Sequence, residues 1–186
     1  AVLIFLLPSS GPSREWLTDA LRLGCGGCVA QNLAIDSPGR LGACVFTNTW
    51  TKADIFFRRL QTYRKWIAES HGQEAYVEFS SVLTNGAKSF RENLDKVMAL
   101  EARAKKTVSP VEIISARIDM TLNHDRTGEL HKIESPSLVM GTTDDSTVPV
   151  YFSLDLHQAI KGSQLHLLEE GGVGGAQVEL AQLDLL

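Results

Sequence analysis

Short apolar runs set between helix-length segments constrain this chain more than any other feature. Residues 2–7 (VLIFLL), Leu41–Thr47 (LGACVFT) and 137–141 (SLVMG) lack the apolar-polar alternation of a strand with one wet face. They read as strands buried on both sides. Gln164–Leu168 (QLHLL) is a further strand. Between the runs, residues 27–36 and 150–160 have helical composition, and a final apolar helix is expected over 177–186. Strands that alternate with helices imply an α/β fold with a parallel sheet covered on both faces.

The longest interval between strands is itself helical. Thr51 and Asp54 suit a capped start, and Phe56, Leu60, Tyr63 and Ile67 recur at helical spacing until Gly72. A second helix follows Asn85-Gly86, with Phe90, Leu94, Val97 and Met98 on one face. Ser109-Pro110-Val111-Glu112 opens a third with a cap, a proline at the first helical position and a glutamate in the first turn, and Ile114, Ile118 and Leu122 form its stripe. The same helical spacing assigns Phe56, Trp66 and Met98 to the core. Three helices thus interrupt the sheet.

With 186 residues and 44% hydrophobic composition, the chain can build one sizeable core. Eighteen Lys and Arg against 22 Asp and Glu give a formal charge of -4, and no run of five like charges could track a phosphate backbone or an anionic membrane. Neither nucleic acid nor membrane is expected as a partner, and self-association is left open. The opening apolar run is preceded by no basic segment and is too short to span a bilayer.

Cys25 and Cys28 form a single C-x-x-C, with Cys44 the only other cysteine. Two thiols do not complete a zinc site, and no histidine stands near them in sequence, so no metal or other cofactor is expected. The glycine-rich surroundings favour buried thiols over a redox pair, which suits a reducing cytoplasm.

From His124 onward the order is helix, Ile133, Pro136, apolar strand, Gly141, Asp144, Pro149, helix, strand and Gly171-Gly172. This order resembles the C-terminal third of α/β-hydrolases, and within them the small single-domain branch of oxoadipate enol-lactonases and aminoacrylate hydrolases. The similarity extends over roughly residues 24–175. It implies a hydrolase core over 1–50 and 133–186, a helical cap over 51–132, and a core with central strands missing. Only residues 15–22 stand where the family has a strand, a helix and another strand.

The family's triad arrives in the chain order Ser, acid, His, with the serine on a G-x-S-x-G turn between strand and helix. On the resemblance, Gly141-Thr142-Thr143-Asp144 puts Asp144 at the acid position. The turn maps to Gly24, Gly26 and Gly27, where no register yields a serine; one register makes Cys25 a thiol nucleophile. Val173 occupies the histidine position, and valine accepts no proton. In the oxyanion loop, Pro8 removes a backbone donor ahead of Ser9 and Ser10.

The resemblance therefore implies hydrolysis of a small ester, lactone or amide if the sequence lacks residues that belong to the intact enzyme. The alternative is a relative without catalysis that binds a small carbonyl compound or another chain.

Overall fold

The computed structural model describes residues 5–8, 18–23 and 25–173, the first two stretches as backbone alone. A five-stranded sheet runs in the order of the chain: β1 (Phe5–Pro8), β2 (Thr18–Leu23), β3 (Leu41–Thr47), β4 (Ser137–Thr142) and β5 (Gln164–Leu168). β2 to β5 are mutually parallel. β1 pairs with β2 antiparallel, Phe5 opposite Leu21 and Pro8 opposite Thr18, which corrects the expectation of a parallel first strand. Nine residues separate the two, fewer than the dozen or so that a parallel crossover needs.

β2 is an element that the sequence reading left unassigned. Its sequence, TDALRL, breaks the apolar run with Asp19 and Arg22, so it lacks the signature of the other strands. It places a parallel strand directly before α1 (Cys25–Asp36), with Leu23 paired to Thr47.

α1 and α6 (Tyr151–Ala159) pack on one face of the sheet. Ala30, Ala34 and Ile35 of α1 meet Cys44 and Phe46 of β3, Val139 of β4, and Leu156 of α6 with the adjoining Ile160. The small alanines let the α1 backbone approach Phe46, which is fully buried. Leu130, from the 3-10 turn Thr127–Lys132, seals the same cluster. Val45, Leu138 and Met140 alternate to the opposite face, where they join Leu168.

Between β3 and β4 lie α2 (Ile55–Thr84), α3 (Ala87–Glu92), α4 (Leu94–Thr107) and α5 (Val111–Asn123). α2 is not one rod. Gly72, at φ 84° and ψ -179°, leaves the helical region and turns the chain back, as glycine alone does without strain. A straight helix would hold residues 64 and 80 about 24 Å apart, yet Arg64 Nη2 is 3.1 Å from Ser80 Oγ. Gly72 ends the first arm as expected, and a second arm, 73–84, follows at once. Both arms pack on α5 through Ala68, Tyr76, Ile114 and Ile118.

Other expectations for the inserted helices need correction. The cap of α2 is Asp54, whose carboxylate accepts from Phe57 N at 2.7 Å, while Thr51 is buried. Pro110 precedes the first turn of α5 rather than opening it, and no side chain caps that end. The second helix is broken into α3 and α4. Phe56, Trp66 and Met98 are not core: they are 47%, 53% and 48% exposed. The buried face of α2 is Phe57, Gln61 and Ala68, one residue along from the expected stripe. The expected helix over 177–186 lies outside the described residues. Among the described residues no helix is long and apolar enough to cross a membrane.

Candidate active site

The C-terminal ends of β3, β4 and β5 meet at one edge, where an α/β sheet usually carries its chemistry. Thr143 ties two of them together: its N-H donates to Leu168 O at 2.8 Å and its Oγ1 donates to Glu169 O at 2.7 Å. Asp144 therefore faces the loop after β5. Gly171 N donates to its Oδ2 at 3.1 Å and Gly172 N donates to its Oδ1 at 2.8 Å. Both oxygens of this carboxylate rest on backbone, and Val173 follows immediately.

Two glycines make that contact possible. Gly172 has φ +57°, and a Cβ on it would stand 2.5 Å from Thr84 O. A Cβ on Gly86 would stand 2.6 Å from Asp144 Oδ2. The turn after α2 thus lies directly over the loop after β4, with Leu83 O accepting from Ser146 Oγ and Thr147 Oγ1. Lys88 of α3 adds an ion pair with Glu170 at 2.6 Å. A cleft of about 200 Å³ remains, lined by Lys88, Glu92, Asn93, Asp144, Glu170 and Gly171.

Asp145 was not singled out from sequence, yet it is the more deeply held carboxylate. It is 4% exposed; its Oδ1 accepts from Thr147 N and Val148 N, both at 2.8 Å, and its Oδ2 accepts from Asn48 Nδ2 at 2.7 Å. Burial pushes its carboxyl above the ordinary range, and the three N-H donors pull it back. Asn48 follows β3 at φ 45°, a left-handed conformation that asparagine tolerates better than most side chains. Its Oδ1 is buried with no donor.

β2 is followed, after Gly24, by α1, whose first residue is Cys25. Gly24, Ser9 and Ser10 lie outside the described residues. Gly26 and Gly27 are buried, and a Cβ on Gly27 would overlap the Thr49 side chain, so glycine lets the first turn of α1 press on the end of β3. Cys25 is half-buried against a cluster of Cys28, Trp50, Ala53, Phe57, Val148 and Phe152. Val148 comes from the loop after β4, so this cluster joins the first turn of α1 to that loop. Burial raises the Cys28 thiol far above its ordinary range, so at neutral pH it is a packing residue rather than a redox or metal-binding thiolate.

The histidines stand elsewhere. His124 Nε2 lies 3.0 Å from Gln31 Oε1, and Gln31 Nε2 donates to Trp50 O at 2.9 Å. That chain makes Gln31 Oε1 the acceptor and His124 Nε2 the protonated nitrogen. His157 Nδ1 pairs with Ser163 Oγ at 2.8 Å, and His71 packs against Trp66 with ring centroids 5.0 Å apart. His131 and His166 are exposed. Among the described residues no group of three His, Cys, Asp or Glu side chains could hold a metal ion.

No protein-family model matches the chain. It is 30% identical over 149 residues to a Caulobacter vibrioides protein named as carbamate hydrolase RutD, covering 80% of this chain and 55% of that protein. The Variovorax paradoxus protein of the same name is 30% identical over 156 residues, covering 84% and 59%. The chain thus spans little more than half the length of these curated relatives. Among solved structures, an α/β-hydrolase enzyme from a Medee basin deep-sea metagenome library superposes with a TM-score of 0.80 at 14% identity, covering 91% of this chain and 62% of that one. An enol-lactonase from Burkholderia xenovorans superposes at 0.79 with 17% identity, covering 91% and 64%.

Proposed function

We infer that this chain, a member of the α/β-hydrolase superfamily, serves the hydrolysis of a small ester, lactone or amide, with Asp144 at the acid position. The observation that carries this reading is the docking of the Asp144 carboxylate on Gly171 and Gly172, beneath a cap that leaves a small polar cleft. The names of the relatives, carbamate hydrolase and enol-lactonase, agree on a carbonyl substrate.

In such chemistry a nucleophile adds to the carbonyl carbon, N-H groups hold the oxyanion, and the leaving group departs with a proton. Cys25 is proposed as the nucleophile. Its place as the first residue of α1, where the first N-H groups are unpaired along the helix, supports that role. Attack by its sulfur forms a thioester and releases the alcohol or amine; water then cleaves the thioester to give the acid and restore the thiol. Ser9 and Ser10 are proposed to belong to the oxyanion side.

One observation favours a second reading, a binding protein without turnover. Both Asp144 oxygens already accept backbone N-H groups, and the residue after Gly171-Gly172 is Val173, whose side chain cannot carry a proton. The two readings separate in one assay. Hydrolysis of p-nitrophenyl acetate that is lost in Cys25→Ala and reduced in Asp144→Asn, with a thioester adduct on Cys25 by mass spectrometry, supports the enzyme. Background rates in the wild type with no adduct establish the binding protein.

A further inference from the structure

The outward stripe of the first arm of α2 is apolar where a solvated helix face is normally polar. Ile55 and Tyr63 are 66% and 62% exposed, and Phe56 and Trp66 stand roughly half in water. Phe56, Arg59, Tyr63, Trp66 and Ser70 follow one another at spacings of three, four, three and four. With that spacing one helix meets another along a narrow seam. The seam is not the side used within the protein. Arg58, Lys65 and Glu69 face α5, where they bond Leu122 O, Asp119 and Ser115, while Phe57, Gln61 and Ala68 are buried.

The seam has the make-up of a contact surface. Tyr, Trp, Phe and Arg concentrate where proteins meet, and lysine, which such surfaces avoid, is absent from it. Trp66 rests against His71, with ring centroids 5.0 Å apart, so its indole is placed before a partner arrives. The three aromatic side chains leave roughly 300 Å² in water. With Ile55 and Arg59 the stripe comes to roughly 500 Å², a size that on a monomer usually marks an interaction site. Two such stripes facing each other bury on the order of 1,000 Å², the small end of specific interfaces.

The charges indicate the partner. Arg59 is exposed in the first half of the arm, and Glu69 is exposed in the second half, where only its Oε1 is engaged, by Ser115. An identical arm laid antiparallel, with a two-fold axis between residues 64 and 65, sets Tyr63 of each copy opposite Trp66 of the other. The same axis brings Arg59 to Ser70 and Glu69 of the other copy, so both ends of the seam gain an ion pair. A two-fold contact requires this self-complementarity, in which each residue of a pair meets the other twice.

We propose that the chain forms a two-fold dimer through the first arm of α2, the arms antiparallel and Tyr63 packed on Trp66 across the axis. The contact is independent of the hydrolase reading, and its test needs no turnover.

The test is sedimentation velocity of the full chain from about 1 to 200 μM at neutral pH. The average mass is expected to rise from 20.4 kDa toward twice that value and to stop there. Tyr63→Glu and Trp66→Glu should each raise the dissociation constant at least about tenfold with the circular dichroism spectrum unchanged; Trp66→Ser gives the same reading should a glutamate disturb the helix. Arg59→Glu should weaken the dimer several-fold, and adding Glu69→Arg should restore it. A mass of 20.4 kDa at every concentration, growth past two copies, a dimer untouched by the substitutions at 63 and 66, or no recovery in the charge exchange overturns the proposal.

Discussion

Asn48 Nδ2 donates to Asp145 Oδ2 at 2.7 Å although 97 positions separate the two residues. This bond locks the end of β3 to the loop after β4, and it joins a buried carboxylate to a residue in a left-handed conformation. Asp145→Ala would leave Thr147 N and Val148 N without their acceptor, and a loss of about 1–3 kcal/mol is expected in urea unfolding at pH 7. Asp145→Asn should be far milder. Its Oδ1 can keep both backbone donors, while Asn48, whose Oδ1 lacks a donor, can turn its amide to accept from the new Nδ2.

The same pair sets a pH dependence. Burial raises the folded Asp145 carboxyl above its unfolded value of 3.8, so the associated stability is fully present below that value and is lost as pH rises through the folded one. A side-chain amide at this position does not titrate. Asp145→Asn is therefore expected to be more stable, relative to wild type, at pH 7 than at pH 4, and unfolding midpoints that move the opposite way would sink this account.

Gly172→Ala tests the contact between the turn after α2 and the loop after β5. Its Cβ would meet Thr84 O and force the loop off a positive φ, at a cost of about 1–3 kcal/mol. The amide resonances of Gly171 and residue 172 should shift as they release Asp144, and unchanged shifts would show that the loop accommodates the methyl group.

His124 should make the fold sensitive to mild acid. Burial, then the charge of Arg126, holds its imidazole below the ordinary 6.5. The unfolded chain takes up the proton first, so stability falls as pH drops below about 6.5. His124→Gln can still donate to Gln31 and cannot titrate. It is expected to flatten the difference between pH 7 and pH 5.5 in thermal unfolding.

The thiols should differ sharply. Cys28 is 4% exposed with its thiol pushed up by burial, whereas Cys25 is half-buried at the start of α1. Iodoacetamide at pH 7.5 is expected to modify Cys25 well before Cys28, read by peptide mass spectrometry; equal rates would contradict the packing described for Cys28.

Where one property dominated a segment, it could be read directly. Leu41–Thr47 and Gln164–Leu168 form strands over the residues expected, the first as an apolar run that fits a packed sheet and the second as a largely exposed edge strand. α2 was harder. Its first arm carries two overlapping apolar stripes, one through Phe56 and Tyr63 and one through Phe57 and Ala68, and the second is buried because Phe57 meets Trp50 and Phe152 while Ala68 meets α5. Asn48 and Arg64 gave no local signal, and Asp145 gave only that of a turn aspartate, through Thr147 N and Val148 N. Each is a polar residue with a hydrogen-bond partner twelve or more positions away. Asp144 is proposed as the acid because a longer pattern surrounds it, and the position of β2 could not be read because Asp19 and Arg22 interrupt it.

The reversal at Gly72 also bears on the order in which the chain folds. The contact it creates between Arg64 and Ser80 spans 16 positions, whereas Phe46 and Val139, paired in the parallel sheet, have all of the inserted helices between them. Closing so long a loop is slow unless the intervening chain is already compact. A helical hairpin that forms from neighbours draws the two strands toward each other. In pulse-labelled hydrogen exchange, the amides of 73–84 should gain protection before those of Leu41–Thr47, which makes the cap an early scaffold for the sheet beneath it.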